Sequence, residues 1–181
     1  KPGKEIKGKT LGILAYGNVG KIVANLGKSF GMNVCAFDPF IPAENITQDG
    51  VEVVGSIDEL FSKSNYVSLH IPANDETKKS INYDLLSKMP VAAAIVNTAR
   101  KEVVDEDGLL KMFADREDFV YMSDIAPDCA DQIAEKFPGR SYFTPKKMGA
   151  QTAEANINAG IAAAKQIVNF LEKGDKTFKV N

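Results

Sequence analysis

Gly17-Asn18-Val19-Gly20 follows the apolar run Leu11 to Ala15, and Asp38 closes the next apolar run, Asn33 to Phe37. Small residues at that spacing let a backbone approach an anion closely. A helix opening there presents unpaired N–H groups to the same anion. A carboxylate one strand further on can accept hydrogen bonds from ribose hydroxyls. Strand, glycine turn, helix, strand and acid is the order of a dinucleotide-binding βαβ unit. Gly17 would face the pyrophosphate, and Gly20 would let the helix pack close to the strand. Asp38 favours NAD over NADP, because a 2′-phosphate would meet a carboxylate head on. Ala15 stands where the first fingerprint glycine belongs, so the turn must use negative φ or carry strain. Further on, Arg100 follows an apolar run and offers a planar fork that matches a carboxylate. Its alternative is a surface ion pair with Glu102 or Asp105. Lys146 and Lys147 form an adjacent cationic pair.

These residues need elements to hold them. The pattern predicts a first helix from Asn18 to Phe30, with Val19, Val23, Leu26 and Phe30 on one face and Gly31 as its stop. Pro39 to Pro42 then leaves the sheet. A strand is predicted at 51–54, and Ser56-Ile-Asp-Glu59 reads as a capping box for a short helix. Strands at 65–71, 92–96, 119–122 and 141–143 alternate with helices at 82–89 and after Asp105, which caps its helix. The strands are apolar runs without alternation, so the fold class is α/β, a Rossmann-type doubly wound, mostly parallel sheet with helices on both faces. Chemistry in such a sheet sits past the strand C-termini. Asn18, Asp38, His70, Asn97 to Arg100, Asp124 and Lys146 to Lys147 gather there. A long helix from Thr152 to Leu171 repeats Ile157, Ile161, Ala164, Val168 and Leu171. Its apolar arc is wide enough to expect burial on more than one side, against another domain or subunit.

The composition is that of an ordinary globular chain, with 44% hydrophobic and 25% charged residues. A net charge of −2 gives no basic excess for nucleic acid, and no stretch is apolar enough to span a bilayer. Cys35 and Cys129 have no metal spacing, and His70 is the only histidine, so no metal site is expected. Unpaired cysteines suit a cytoplasmic, reduced setting. Lys1 to Lys9 reads as a connecting segment, and residues 10–181 as one NAD-binding domain.

Asn97-Thr98-Ala99-Arg100, taken with Gly17 to Gly20, Asp38-Pro39, Ser68 to Pro72, Val103 to Glu106, Thr144-Pro145 and Gly149 to Ala155, resembles the D-isomer-specific 2-hydroxyacid dehydrogenase family. Within it the D-3-phosphoglycerate dehydrogenases are most similar. The resemblance implies two domains, of which this chain is the nucleotide-binding one and the substrate domain would precede Lys1. It implies NAD as cofactor, a small 2-hydroxy or 2-keto acid as substrate, and a homodimer. The favoured substrate is 3-phosphoglycerate, in serine biosynthesis. Glyoxylate, hydroxypyruvate or lactate types are the alternatives. No appended effector domain is expected after Asn181. By the same resemblance Arg100 grips the substrate carboxylate. The cofactor site would comprise Tyr16, Gly17, Asn18, Val19, Gly20, Asp38, Pro39, His70, Ile71, Pro72, Thr98, Ala99, Arg100, Asp124 and Gly149.

The chain departs from the family where catalysis is expected. The family pairs a histidine in a Pro-His-x-Gly setting with a glutamate. Here the residues read Pro145-Lys146-Lys147-Met148-Gly149. Lys147 takes the histidine position if one residue is inserted after Pro145, which keeps Gly149, Thr152 and Glu154 in phase; Lys146 takes it without insertion. The glutamate would fall near Cys129, between Asp128 and Asp131, where none occurs. Two functions from different classes therefore stand. One is a dehydrogenase that uses lysine as its base. The other is a non-catalytic NAD-sensing protein, against which Arg100 argues, because a sensor needs no carboxylate clamp.

Overall fold

The computed structural model describes residues 3–147, 149 and 151–179. Lys1, Pro2, Val180 and Asn181, in the predicted connecting segment and at the C-terminal end, lie outside them, as do Met148 and Ala150 in the stretch after Pro145. The chain divides into two compact units, Lys1–Pro145 and Lys146–Asn181.

The first unit alternates strands and helices. The strands are β1 (Thr10–Leu14), β2 (Asn33–Phe37), β3 (Glu52–Val53), β4 (Tyr66–Leu69), β5 (Ala94–Asn97), β6 (Val120–Ser123) and β7 (Ser141–Phe143). The helices are α1 (Asn18–Ser29), α2 (Ala43–Thr47), α3 (Ile57–Lys63), α4 (Tyr83–Ser87), α5 (Glu106–Asp115) and α6 (Ala130–Lys136). All pairings in the sheet are parallel, in the order β3-β2-β1-β4-β5-β6-β7. The winding direction therefore reverses between β1 and β4, which opens a crevice past their C-terminal ends. The doubly wound sheet expected from the apolar runs is the fold observed.

Successive strand residues point to opposite faces, and each face has its own core. Val34 and Ala36 of β2 join α1 through Ala24 and α2 through Ile46. Cys35, between them, joins the larger core with Leu60, Phe61, Leu86, Leu109, Phe113 and Ile133 of α3 to α6. Cys35 is a fully buried thiol that packs as a small hydrophobe.

The helix starts follow their sequence signals. Ser56 accepts from the Glu59 amide at 3.1 Å, and Glu59 reaches back to the Gly55 amide at 2.9 Å, one residue before the box partner expected. Asn82 and Asp105 cap α4 and α5 through the amides of Leu85 and Gly108. Thr152 caps α7 (Ala153–Lys173), the helix of the second unit.

Two helices turn large apolar residues outward. In α1 the buried residues are Gly20, Ala24 and Gly27, while Val19, Leu26 and Phe30, with Ile22, are more than half exposed. The reason is steric: a Cβ at Gly27 would stand 2.6 Å from Leu11 Cδ2, so only the small-residue face can approach the sheet. In α7 no residue is buried within this chain, and Ile157, Ile161, Val168 and Leu171 are exposed, on the helix expected to meet another domain or subunit.

Candidate functional site

The turn after β1 is built on strain. Ala15 adopts φ 74°, the left-handed region, and its amide donates to the Phe37 carbonyl at 3.0 Å. Of the two options open to an alanine there, the chain takes the costly one, roughly 1–2 kcal/mol. A Cβ at Gly20 would lie 2.3 Å from the Ala15 carbonyl oxygen, so glycine is what lets α1 start this close. A Cβ at Gly17 would meet nothing within 4 Å. Gly17 is also the N-cap residue and no side chain caps the helix, so the first amides of α1 face an open space at the switch point. Asn18 and Val19 are exposed there.

Asp38 ties this turn to the chain leaving β2. One carboxylate oxygen accepts from the Tyr16 amide at 2.7 Å and the other from the Phe40 amide at 2.9 Å. Both bonds fix the carboxylate beside the turn and leave lone pairs for hydroxyl donors. Tyr16 is buried, and its hydroxyl donates to Asp49 at 3.1 Å. Burial, reinforced by that carboxylate, pushes the phenol up to about 12. Asp49 also pairs with Lys21 of α1 at 3.0 Å, which pulls its carboxyl below the usual range. Pro39 is exposed next to Asp38.

On the other side of the switch point the His70 amide donates to the Leu14 carbonyl at 2.9 Å. Its Nε2 shares a 2.9 Å hydrogen bond with the buried Ser68 hydroxyl. Burial lowers the imidazole pKa, so the ring is neutral at pH 7. Ile71 is half-buried and Pro72 exposed beyond it.

The end of β5 is held by Asn97, which is 1% exposed. Its Oδ1 accepts from the Ala99 amide at 3.0 Å, and its Nδ2 donates to the Arg100 carbonyl at 3.0 Å. Thr98 and the Arg100 side chain are exposed, and Ala99 is buried. The guanidinium bonds the Ala99 carbonyl at 2.8 Å and forms no ion pair with Glu102 or Asp105. At the end of β6, Asp124 is half-buried, and its carbonyl accepts from Thr144 Oγ1 at 2.9 Å.

A glutamate absent from the sequence around Cys129 arrives there through the fold. Glu106, the first residue of α5, accepts from the amides of Asp128 and Cys129 at 2.8 Å each. That carboxylate holds the start of α6, which makes it a structural cap. Burial and the nearby Glu106 raise the Cys129 thiol to about 12, so it stays protonated. Sequence reading quoted Ser68 and Glu106 within its motifs but gave neither a role; Glu106 gains its own only when α5 meets the start of α6, and Ser68 through its bond to His70 two residues on.

Lys146, exposed, Lys147, half-buried, and Gly149, exposed, belong to the second unit. The sites at Tyr16 to Gly20, Asp38 and Asn97 to Arg100 belong to the first. Among the described residues no group of histidine, cysteine or carboxylate could hold a metal ion, and no helix is long and apolar enough to cross a membrane.

Comparison with known proteins bears on this arrangement. The family described as D-isomer specific 2-hydroxyacid dehydrogenase, NAD binding domain, matches residues 1–132. The D-3-phosphoglycerate dehydrogenase of Synechocystis is 34% identical over 177 residues, which are 93% of this chain and 30% of that protein. The hydroxypyruvate reductase of Thermotoga maritima is 33% identical over 172 residues, 93% of this chain and 55% of that one. Among solved structures, NAD+-bound 3-phosphoglycerate dehydrogenase of Entamoeba histolytica superposes with a TM-score of 0.87 at 45% identity, covering 100% of this chain and 57% of that one. The chain thus spans between about a third and somewhat over half of these relatives.

Proposed function

The chain belongs to the D-isomer specific 2-hydroxyacid dehydrogenases as their NAD-binding domain, and on that premise we propose that the protein it forms part of transfers a hydride between NAD and a D-2-hydroxy acid. NAD, when bound, takes the hydride from C2 of the acid and returns it in the reverse direction. The residues present fit that cofactor. The open start of α1 suits a pyrophosphate, and the fixed Asp38 carboxylate suits an unphosphorylated ribose. The observation that carries the substrate reading is Arg100, whose guanidinium stands exposed past β5 with neither neighbouring carboxylate paired to it. A substrate carboxylate would receive its fork. Lys147, or Lys146 in the other register, takes the place of the base that accepts the hydroxyl proton. In reduction the ammonium polarises the ketone and gives the proton back. The favoured substrate is 3-phosphoglycerate, in serine biosynthesis. Two of the three relatives above carry that activity in their names.

The domain is proposed to work with a substrate domain and as a homodimer, in the cytoplasm. The outward apolar stripe of α1 supports pairing with a second copy. The test is a steady-state assay of the longer protein that carries this chain, with NAD and 3-phosphoglycerate. Turnover is expected, and Lys147→Ala should cut it about 10²-fold or more. Full turnover in Lys147→Ala with none in Lys146→Ala would move the base to Lys146. NAD binding without hydride transfer to any 2-keto acid would overturn the enzyme reading in favour of a sensor.

A further inference from the structure

The ends of β5 and β6 are joined by a buried polar bridge that the mechanism above does not use. Tyr121 of β6 is 1% exposed, and its hydroxyl accepts from Asn97 Nδ2 at 3.1 Å. The same Nδ2 donates to the Arg100 carbonyl, and Oδ1 of that carboxamide accepts from the Ala99 amide. Asn97 therefore spends both amide hydrogens and its oxygen on three partners. Two of them bracket the Ala99–Arg100 peptide. The third is the phenol. Ser123 bonds the carbonyl of Ile125 at 2.7 Å, next to Asp124.

We propose that Tyr121 is a positioning residue for Arg100: its phenol fixes the Asn97 carboxamide, which sets the backbone from which the guanidinium reaches the substrate carboxylate. Tyr121 touches neither substrate nor cofactor. Without the phenol oxygen, one Asn97 hydrogen loses its acceptor in a buried place, where unmet polar groups are costly. The carboxamide then turns or admits water, and the frame around Arg100 loosens. A displacement of about 1 Å at a positioned group is enough to cost up to about 10² in kcat/KM. The inference rests on the reading of Arg100 as the carboxylate clamp.

Tyr121→Phe and Arg100→Lys, singly and together, test it in the longer protein. Tyr121→Phe keeps the ring and the core contacts, and its melting should confirm the fold. It should raise the KM of the acid about 10-fold, with kcat and the KM of NAD within about 2-fold. In the Arg100→Lys background it should add less than about 2-fold, because the positioned group is gone. Asn97→Asp, which keeps the phenol but removes the donor to the Arg100 carbonyl, should raise the same KM at least as much. An equal loss in kcat and in both KM values would show a merely structural role and overturn the inference. So would a Tyr121→Phe effect that persists undiminished beside Arg100→Lys. If Arg100→Lys leaves the KM of the acid unchanged, the clamp reading fails and this inference falls with it. If Arg100→Lys raises that KM and Tyr121→Phe does not, this inference alone falls.

Discussion

Ala15 is the residue at which sequence and conformation disagree most sharply. Its φ of 74° costs an alanine roughly 1–2 kcal/mol, which a glycine would not bear. Glycine loses about 0.4–1 kcal/mol through the greater freedom of its unfolded chain. Ala15→Gly should therefore stabilise the domain by about 0.5–1 kcal/mol, read as a higher urea midpoint at unchanged m. A lower midpoint would mean that neighbours have absorbed the strain. Gly20→Ala should act the other way. Its Cβ, 2.3 Å from the Ala15 oxygen, must push α1 or the turn aside, at about 1–3 kcal/mol and with loss of NAD affinity in a calorimetric titration. At this scale the sequence was informative wherever the chemistry is local. Gly17, Gly20 and Asp38 sit in one continuous stretch, and their roles could be read from spacing. Glu106 and Tyr121 could not, because each meets its partner only when β5, β6 and α6 assemble, whereas Asn97 bonds the backbone two and three residues on.

Among the elements, strands were the most legible. The bounds of β2 and β7 match the pattern residue for residue, since glycines and prolines punctuate apolar runs there. The short helices α2 and α6 escaped, each carrying a single buried anchor, Ile46 and Ile133. Pro42, standing just before α2, was the available signal. The orientation of α1 was not legible, because periodicity shows where large apolar residues fall, not that small ones are needed to reach the sheet. The small-residue face packs inward and leaves Leu26 and Phe30 facing outward, and Leu26→Glu should convert a dimer of the longer protein to monomer in sedimentation. An unchanged mass would move the proposed contact elsewhere. The link between β5 and β6 offers a pH test. Arg116 pairs with Asp118 at 2.7 Å, and Asp118 also accepts from the amide of Ala92, a residue at φ 64°. The guanidinium holds the Asp118 carboxyl well below the usual range. A depressed folded-state pKa stabilises above the unfolded value of about 4, and the contribution fades as pH falls through the folded one. Asp118→Asn should cost about 1–2 kcal/mol from pH 8 to about 5, allowing for partial exposure, and the gap to wild type should narrow below about pH 4. A gap that does not depend on pH would rule the ion pair out as its source.

For the molecule as a whole, cofactor and substrate functions fall on different amounts of protein. The glycine turn and Asp38 lie within the first unit, so the 181 residues alone should bind NAD, seen as heat on titration or a thermal shift. They should not turn over 3-phosphoglycerate, because hydride transfer needs the acid held in a cleft shielded from water, and the proposed substrate domain would supply the second wall. Reduced cofactor appearing at the rate of the longer protein would refute this. The strand order carries one more consequence. β1 meets β2 across the single helix α1, but it meets β4 only after the chain has passed through β2 and β3, and Thr10 bonds Asn65 across that gap. The seam between β1 and β4 is thus a natural line for sub-global opening, and a dinucleotide held by the proposed site residues on both sides, Gly17 to Gly20 and His70, would straddle it. In amide hydrogen exchange, NAD should slow His70, whose N–H bonds Leu14 across the seam, far more than Thr144, whose N–H bonds Ser123 near the sheet edge. A ligand that exists to accept a hydride would then also be the clasp that keeps the two halves of the sheet from breathing apart.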